Sequence, residues 1–335
     1  MTSVVSNLVV KCVVGLSLVS IAGGGQTASP DQPDADGPSG TNSSPESRYP
    51  QTDGLAEARS EANGGSLEKA GHLVRTYLDA HPDSADGHFL MGLILFKQGK
   101  PKDSLSEYTE GARHRDPDAA DLKIVALNYV LLADYASADH WLTQSVERNP
   151  RDSQGWYYLG RAKYNENRFD EALAAFKECL KLDPKNVKAE DNLGLSHQAL
   201  GHTPEAFTAF HNAIAWQARL LKKNSGPFIN VGSLLLEQDK VEEAVPYLAE
   251  AIEISPEEVR AHEQLGKAYS RRNDLEKAQR ELEKAVSLST DNAALHFMLG
   301  QLYRKRGMNE KARLELERGA ALKASGVKPK PSPPD

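Results

Sequence analysis

Apolar and polar positions repeat along the middle of the chain with a period of 34 residues. Within each period the apolar residues recur at spacings of three and four, which predicts two amphipathic α-helices rather than strands. Residues 153–186 carry the pattern most fully: Trp156 and Gly160 mark the first helix, and Phe176 marks the second. Pro184 then blocks continuation of the second helix. The period therefore predicts an array of helix pairs.

Seven copies of the pattern, with one slip of four residues, account for residues 85–326. The predicted copies are 85–118, 119–152, 153–186, 187–220 with an insertion at 221–224, 225–258, 259–292 and 293–326. A degenerate copy is predicted at 55–84, where only the second helix carries the full pattern. A single helix pair cannot bury its own apolar face, so neighbouring pairs are expected to stack.

Most first helices carry a glycine near their middle, as at Gly160 and Gly194, and most second helices carry an alanine, as at Ala172. Glycine inside a helix costs about 1 kcal/mol relative to alanine. We therefore expect the second helix to pack closely on the bare backbone of the first, with the small alanines at the contact.

These positions resemble the tetratricopeptide repeat, and the resemblance covers about seven tenths of the chain. The resemblance implies an all-α fold, a right-handed α-α superhelix of seven to eight helix-turn-helix repeats, with the first helices lining a concave face. Members of the family bind very different partners, so the resemblance implies a binding role and does not name the ligand.

The slip after residue 220 predicts a longer second helix in that copy. The apolar pattern continues from Pro204 through Trp216 and Leu221 to Lys223, about one turn beyond the other copies. Two interpretations stay open: the insertion shapes the ligand surface, or it is a tolerated surface loop.

The two ends of the chain lie outside the repeats. Lys11 precedes the apolar run 12–22, so residues 1–24 are predicted to be a cleaved signal peptide of an exported, periplasmic protein of bacterial type. An uncleaved membrane anchor or a cytoplasmic chain are the alternatives. Residues 25–54 are predicted to be a disordered linker and 327–335 a Pro/Lys-rich disordered tail, because both lack large apolar residues.

Charge and motif content exclude several classes of function. The 40 basic and 47 acidic residues give a net charge of −7, so a nucleic-acid partner is not expected. His262 and Glu263 begin like a zinc-protease helix, but the second histidine is missing. His88, His262 and His296 occupy the large packing position of their copies, so they are predicted to pack rather than to bind metal. We expect no enzyme activity, no cofactor and no metal.

The resemblance places candidate ligand-binding residues on the first helices. These residues are Tyr157, Arg161, Tyr164, Asn192, Asn230, Gln264, Lys267, Arg271 and Arg304. The amides of Asn192, Asn230 and Gln264 could form a ladder that hydrogen-bonds a peptide backbone, or could simply reflect the family consensus. The chaperone-binding clamp of the family is absent, since Leu127 stands where its asparagine would be.

The composition of the predicted groove changes along the chain. Its N-terminal part is apolar, with Phe89, Leu93, Phe96, Ile124, Leu127 and Val130, and its C-terminal part is basic. A peptide with apolar residues at one end and acidic residues at the other would complement it. The sequence thus predicts a non-catalytic adaptor that binds a peptide or protein segment. The alternative is a structural envelope component that self-associates through its C-terminal repeat.

Overall fold

A computed structural model describes residues 53–326, and the regular secondary structure in that range consists of sixteen α-helices. The all-α prediction is therefore confirmed. The predicted signal peptide, nearly all of the predicted linker and the predicted tail lie outside the described residues. The first helix begins at Asp53, inside the segment that was predicted to be linker. The chain forms two compact units divided after Leu182.

The first unit contains four helix pairs. Its helices are α1 (Asp53–Asn63), α2 (Leu67–Ala80), α3 (Ala85–Lys97), α4 (Pro101–His114), α5 (Ala119–Leu131), α6 (Tyr135–Arg148), α7 (Ser153–Asn165) and α8 (Phe169–Leu182). Its largest core cluster joins Phe89, Leu122, Leu142 and Leu159, which come from three successive pairs. Burial is thus shared between neighbouring pairs, as expected for a stacked array.

The second unit contains four further pairs. Its helices are α9 (Val187–Ala199), α10 (Thr203–Gln217), α11 (Gly226–Glu237), α12 (Val241–Ile254), α13 (Val259–Arg271), α14 (Leu275–Leu288), α15 (Ala293–Lys305) and α16 (Asn309–Ser325). Phe210, Val231, Leu248 and Leu265 form one core cluster across three of these pairs.

Several first helices begin at a polar side chain that caps them. Asp118 Oδ1 accepts hydrogen bonds from the backbone N–H groups of Ala120 at 2.7 Å and Asp121 at 2.9 Å. Asn186 caps α9 in the same way through the N–H of Ala189. These side chains satisfy N–H groups that have no partner inside the helix, which fixes where each helix begins.

The mid-helix glycines give room to large side chains of the partner helix. A Cβ at Gly160 would lie 2.6 Å from the ring of Phe176, and one at Gly194 would lie 2.5 Å from the ring of Phe210. The close packing that the glycines predict is therefore present. The expectation that alanines make this contact is wrong in part: the Ala312 carbonyl would lie 3.3 Å from a Cβ at Gly300, but the nearest atoms belong to large side chains such as Phe176, one turn beyond the buried Ala172.

The predicted extension of the second helix in the 187–220 copy is also wrong. Helix α10 ends at Gln217, and residues 218–225 form a loop. The Gln217 side chain donates from Nε2 to the Asn224 carbonyl at 2.9 Å, and its Oε1 accepts from the Asn224 N–H at 2.6 Å. These bonds hold the chain in a turn, which competes successfully with the helical pattern of Leu220 and Leu221.

Candidate peptide-binding faces on the first helices

The first helices define the inner face of each unit. In the first unit α1, α3, α5 and α7 contact one another in sequence, and in the second unit α9, α11 and α13 do the same. Within residues 53–326, the second helices of neighbouring pairs do not pack on each other to a comparable extent. The first helices through α13 therefore approach each other more closely than the second helices do, which places them on the inner, more tightly curved side of their unit. Helix α15, at the end of the second unit, has no comparable contact with α13 among the described residues.

Three of the predicted site residues lie on α7 of the first unit. Tyr157 is buried, and its ring lies 6.1 Å from the ring of Phe176, so it belongs mainly to the core. The half-buried Tyr158 lies 5.3 Å from Tyr157, between ring centroids. The guanidinium carbon of Arg161 lies 5.8 Å from the centre of the Tyr157 ring, a cation–π contact.

Tyr164 and several apolar residues extend this face along the first unit. The Tyr164 ring meets the edge of Phe169 at 5.3 Å and is half-buried. The half-buried apolar residues of α3 and α5 at the predicted groove positions are Leu93, Phe96, Ile124 and Val130. Phe89 and Leu127, which the sequence placed on the same face, are buried in the core. At the predicted groove positions, the first unit therefore carries apolar and aromatic side chains with partial access to solvent.

The predicted amide ladder of the second unit is mostly engaged within the protein. Asn230 is only 3% exposed, and its Nδ2 donates to Asp191 Oδ1 at 2.8 Å. Arg260 donates to Asn230 Oδ1 at 3.2 Å, which completes a network that the sequence did not reveal. Asn192 donates to the Lys188 carbonyl of its own helix at 2.9 Å. The half-buried Gln264 forms no hydrogen bond among the described side chains, so it can offer its amide to a ligand.

The basic residues of the second unit also divide into engaged and free groups. Lys267 pairs with Glu263 one turn earlier on α13, at 2.6 Å. Arg271 donates to the Leu236 carbonyl at the end of α11. Arg304 on α15 is exposed and forms no ion pair with any residue in the described part of the chain. Arg304 is thus the predicted basic residue that is most accessible to an anionic ligand.

Arg271 belongs to a contact that recurs at the same position in three repeats. Lys97 donates to the Ala62 carbonyl at 3.1 Å, and Lys305 to the Ser270 carbonyl at 3.4 Å. In each case the cation reaches the C-terminal turn of the preceding first helix, where carbonyl groups lack helical partners and the helix dipole is negative. We call Lys97, Arg271 and Lys305 the carbonyl staples. The 35-residue interval between donor and acceptor is the sequence signal that could have found them.

The three packing histidines form a second recurrent contact. His262 places Nδ1 2.7 Å from Glu281 and Nε2 3.0 Å from the Pro256 carbonyl. The same pair of contacts occurs at His88, with Glu107 and Pro82, and at His296, with Glu315 and Thr290. Trp156 donates to the Pro150 carbonyl at the equivalent position, at 3.0 Å. These histidines therefore tie each pair to the end of the pair before it.

Between residues 53 and 326, no group of three or more His, Cys, Asp or Glu side chains is placed to hold a metal ion. None of the helices described there is both long and apolar enough to cross a membrane.

A hollow of about 340 Å³ lies between α9 and α10, lined in part by Glu190, Leu193 and His197. Burial raises the pKa of Glu190, although a hydrogen bond from Asn212 opposes the rise.

Comparison with known proteins agrees with this architecture. Profiles described as Tetratricopeptide repeat match residues 55–120, 153–186, 235–286 and 263–327, which together make up more than half of the chain. The solved structure of a tetratricopeptide repeat protein from Parabacteroides merdae superposes with a TM-score of 0.61 at 18% identity, over 75% of this chain and 97% of that one. That likeness shows the fold alone.

Two sequence relatives are similar over shorter stretches. The Protein O-mannosyl-transferase Tmtc3 of Drosophila melanogaster is 26% identical over 171 residues, covering 46% of this chain and 18% of that protein. The Hsp70-Hsp90 organizing protein 1 of Glycine max is 29% identical over 112 residues, covering 33% of this chain and 20% of that protein. The chain thus spans about a fifth of the length of these relatives.

The chain is an all-helical repeat protein of the tetratricopeptide class, and it belongs to the tetratricopeptide repeat family. Repeats of this family generally serve as non-catalytic scaffolds for protein interaction. The predicted family and fold class are therefore confirmed.

Proposed function

We propose that the protein is a non-catalytic scaffold that binds extended protein segments on the inner faces of its first helices. The observation that carries the proposal is that some side chains at the predicted groove positions are accessible to solvent and are not engaged by contacts within the protein. They are half-buried apolar and aromatic side chains in the first unit and Gln264 and Arg304 in the second. No small-molecule cofactor or nucleic acid is part of the proposed function.

Each unit supports a different ligand chemistry. Leu93, Phe96 and Tyr158 offer apolar surface that a ligand side chain can cover, and burial of apolar area drives such binding. In the second unit, the amide of Gln264 can pair with a peptide backbone, and Arg304 can pair with a carboxylate. We propose an apolar segment for the first unit and an acidic segment for the second.

The proposal can be tested by capture with crosslinking from the envelope fraction of the producing cell. The baits are the wild type, Tyr158→Ala/Tyr164→Ala for the first unit, and Gln264→Ala/Arg304→Ala for the second. A matched control, Lys181→Ala/Arg313→Ala, removes two exposed, ion-paired cations from the second helices. Hot-spot residues typically weaken binding about tenfold or more when truncated.

The expected result is a protein captured by the wild type and by the control, but lost with a first-helix variant. Equal capture by both first-helix variants, with loss in the control, would move the binding surface to the second helices. Capture by no bait would overturn the proposal.

A second candidate function is self-association through the last described pair. Leu314 on α16 is 52% exposed, and its neighbour Arg313 pairs only with Glu310 and Glu317 of the same helix. We propose this as the alternative role. Sedimentation of wild type and Leu314→Ser distinguishes the two, since only self-association predicts a concentration-dependent mass that the variant lowers.

We further propose that the protein is exported, with residues 1–24 acting as a signal or, in the alternative, as a membrane anchor. The support is the apolar run 12–22 after Lys11. Determination of the N-terminal residue of the mature protein, together with cell fractionation, decides between cleavage and retention.

A further inference from the structure

One loop departs from the otherwise constant connection between helix pairs. The connections before α3, α5, α7, α9, α13 and α15 each contain four residues, whereas residues 218–225 between α10 and α11 number eight. The additional residues are the four-residue slip of the sequence pattern. The loop is therefore a local addition to the repeat.

The base of this loop is firmly held. Gln217 is 1% exposed and forms two hydrogen bonds with the backbone of Asn224, at 2.9 and 2.6 Å. Asn224 Oδ1 in turn accepts from the Gly226 N–H at the start of α11, at 2.6 Å. Buried side-chain bonds of this kind close the loop and fix its position on the second unit.

The segment beyond this base carries two adjacent apolar side chains in solvent. Leu221 is fully exposed and Leu220 is 52% exposed. The other exposed large apolar residues in the described part of the chain, Leu132, Leu182 and Leu314, are each isolated in sequence. Single exposed leucines are ordinary on a protein surface. Two neighbouring exposed leucines on one loop instead indicate an apolar surface that a binding partner covers.

Three cations flank the two leucines. Arg219 and Lys222 are exposed and form no ion pair with any residue between 53 and 326. Lys223 has one distant contact, 3.7 Å from Glu250. Five consecutive residues therefore carry two exposed leucines and three positive charges, on a protein whose net charge is negative.

We propose that the loop 218–223 docks the protein on the surface of an anionic phospholipid bilayer. Leucines that enter the boundary between headgroups and acyl chains gain apolar burial, while adjacent Lys and Arg side chains remain with the anionic headgroups. A protein partner fits this composition less well, because lysine is depleted and aromatic residues are enriched at protein interfaces. The proposal rests on the loop alone and not on the function proposed for the first helices.

The test is co-sedimentation of the full chain with vesicles of phosphatidylcholine alone or with added phosphatidylglycerol. Leu220→Ser/Leu221→Ser removes the apolar pair, and Leu132→Ser/Leu182→Ser is the matched control for loss of two exposed leucines. Arg219→Glu/Lys222→Glu reverses two loop charges, and Lys185→Glu/Arg280→Glu makes the same change in net charge at exposed positions elsewhere. Circular dichroism confirms that each variant is folded.

The wild type and both controls are expected to bind the anionic vesicles, and each loop variant is expected to lose about tenfold in partitioning. Raised salt is expected to weaken binding of the wild type. Equal binding to both kinds of vesicle, no binding to either, or unchanged binding of the leucine variant would overturn the proposal. A protein crosslinked to residue 221 in the absence of vesicle binding would assign the loop to a protein partner instead.

Discussion

The imidazole of His262 lies between two oxygen atoms, one on each side of the ring, and so connects two helix pairs. Its Nδ1 lies 2.7 Å from a carboxylate oxygen of Glu281, on the second helix of its own pair. The other is the Pro256 carbonyl at the end of the preceding pair, 3.0 Å from Nε2. A neutral ring has only one N–H group, so both contacts are hydrogen bonds only when the ring is protonated. The geometry therefore favours the charged form of His262.

The charge of His262 predicts a pH-dependent stability. Burial lowers the pKa of the imidazole, but the hydrogen bonds to Glu281 and Pro256 outweigh burial and the nearby Lys284, so the pKa is raised above its usual value. A raised pKa contributes stability that is complete below the unfolded pKa of about 6.5 and is lost as pH rises through the folded pKa. We expect the urea midpoint to fall over that interval.

The control for this prediction is His262→Phe, since Phe228 occupies the equivalent position of another repeat. The variant should lose the part of the pH dependence that His262 contributes, while His88 and His296 remain in place. An identical pH profile for wild type and variant would show that His262 does not titrate in this interval. Equilibrium urea unfolding at pH values on both sides of 6.5 is the measurement.

Substitution of a helical glycine by alanine is predicted to raise or lower the stability of the protein, depending on the space around the new Cβ atom. At Gly160 a new Cβ would meet the Phe176 ring at 2.6 Å, and overpacking of about 1–3 kcal/mol should exceed a gain in helix propensity of about 1 kcal/mol. At Gly71 the nearest atom belongs to Ile94, at an ordinary 3.8 Å. Thermal unfolding should therefore show Gly160→Ala destabilised and Gly71→Ala stabilised. Stabilisation by both substitutions would contradict this packing.

A turn residue offers a stabilising substitution. Ala133 follows α5 with a φ of 56°, in the left-handed region, which costs a residue with a Cβ about 1 kcal/mol. Ala133→Gly is expected to raise the free energy of unfolding by about 0.5 kcal/mol, after allowance for the greater freedom of glycine in the unfolded chain. Ala136→Gly, at an exposed position in α6, is the matched control and should lower it. The order of the two melting temperatures decides the prediction.

The sequence predicted the fold well because the determinants of the fold recur with its period. Gly160 and Phe176, which pack on each other, lie in the same 34-residue repeat, so the repeat pattern alone identifies both positions. The prediction of a helix through Lys223 was wrong because hydrogen bonds between the Gln217 side-chain amide and the Asn224 backbone determine the local structure. The spacing of apolar residues carries no information about these hydrogen bonds. Exposed leucines look the same in a sequence as buried ones.

The candidate site was harder to predict for a related reason. Position in the repeat identifies which side chains lie on the first helices, but it does not show which of them are engaged by another repeat. Asn230 is engaged by Asp191, and Arg271 by Leu236, both from the preceding pair of helices. Asn192 and Lys267 are engaged within their own helices, so only Gln264 and Arg304 among the predicted residues of the second unit form no hydrogen bond or ion pair in the described structure.

This distinction separates two arginines that the sequence treated alike. Arg271 is a carbonyl staple at the end of α11, so Arg271→Ala should lower the free energy of unfolding by about 1 kcal/mol, the net value of one hydrogen bond. Arg304 is exposed and unpaired among residues 53–326, so Arg304→Ala should leave stability unchanged within about 0.5 kcal/mol. Arg271→Lys should restore part of the loss, because Lys97 and Lys305 make the same contact. Urea unfolding of the three variants measures these differences, and equal stability of Arg271→Ala and Arg304→Ala would return Arg271 to the set of accessible ligand-binding residues.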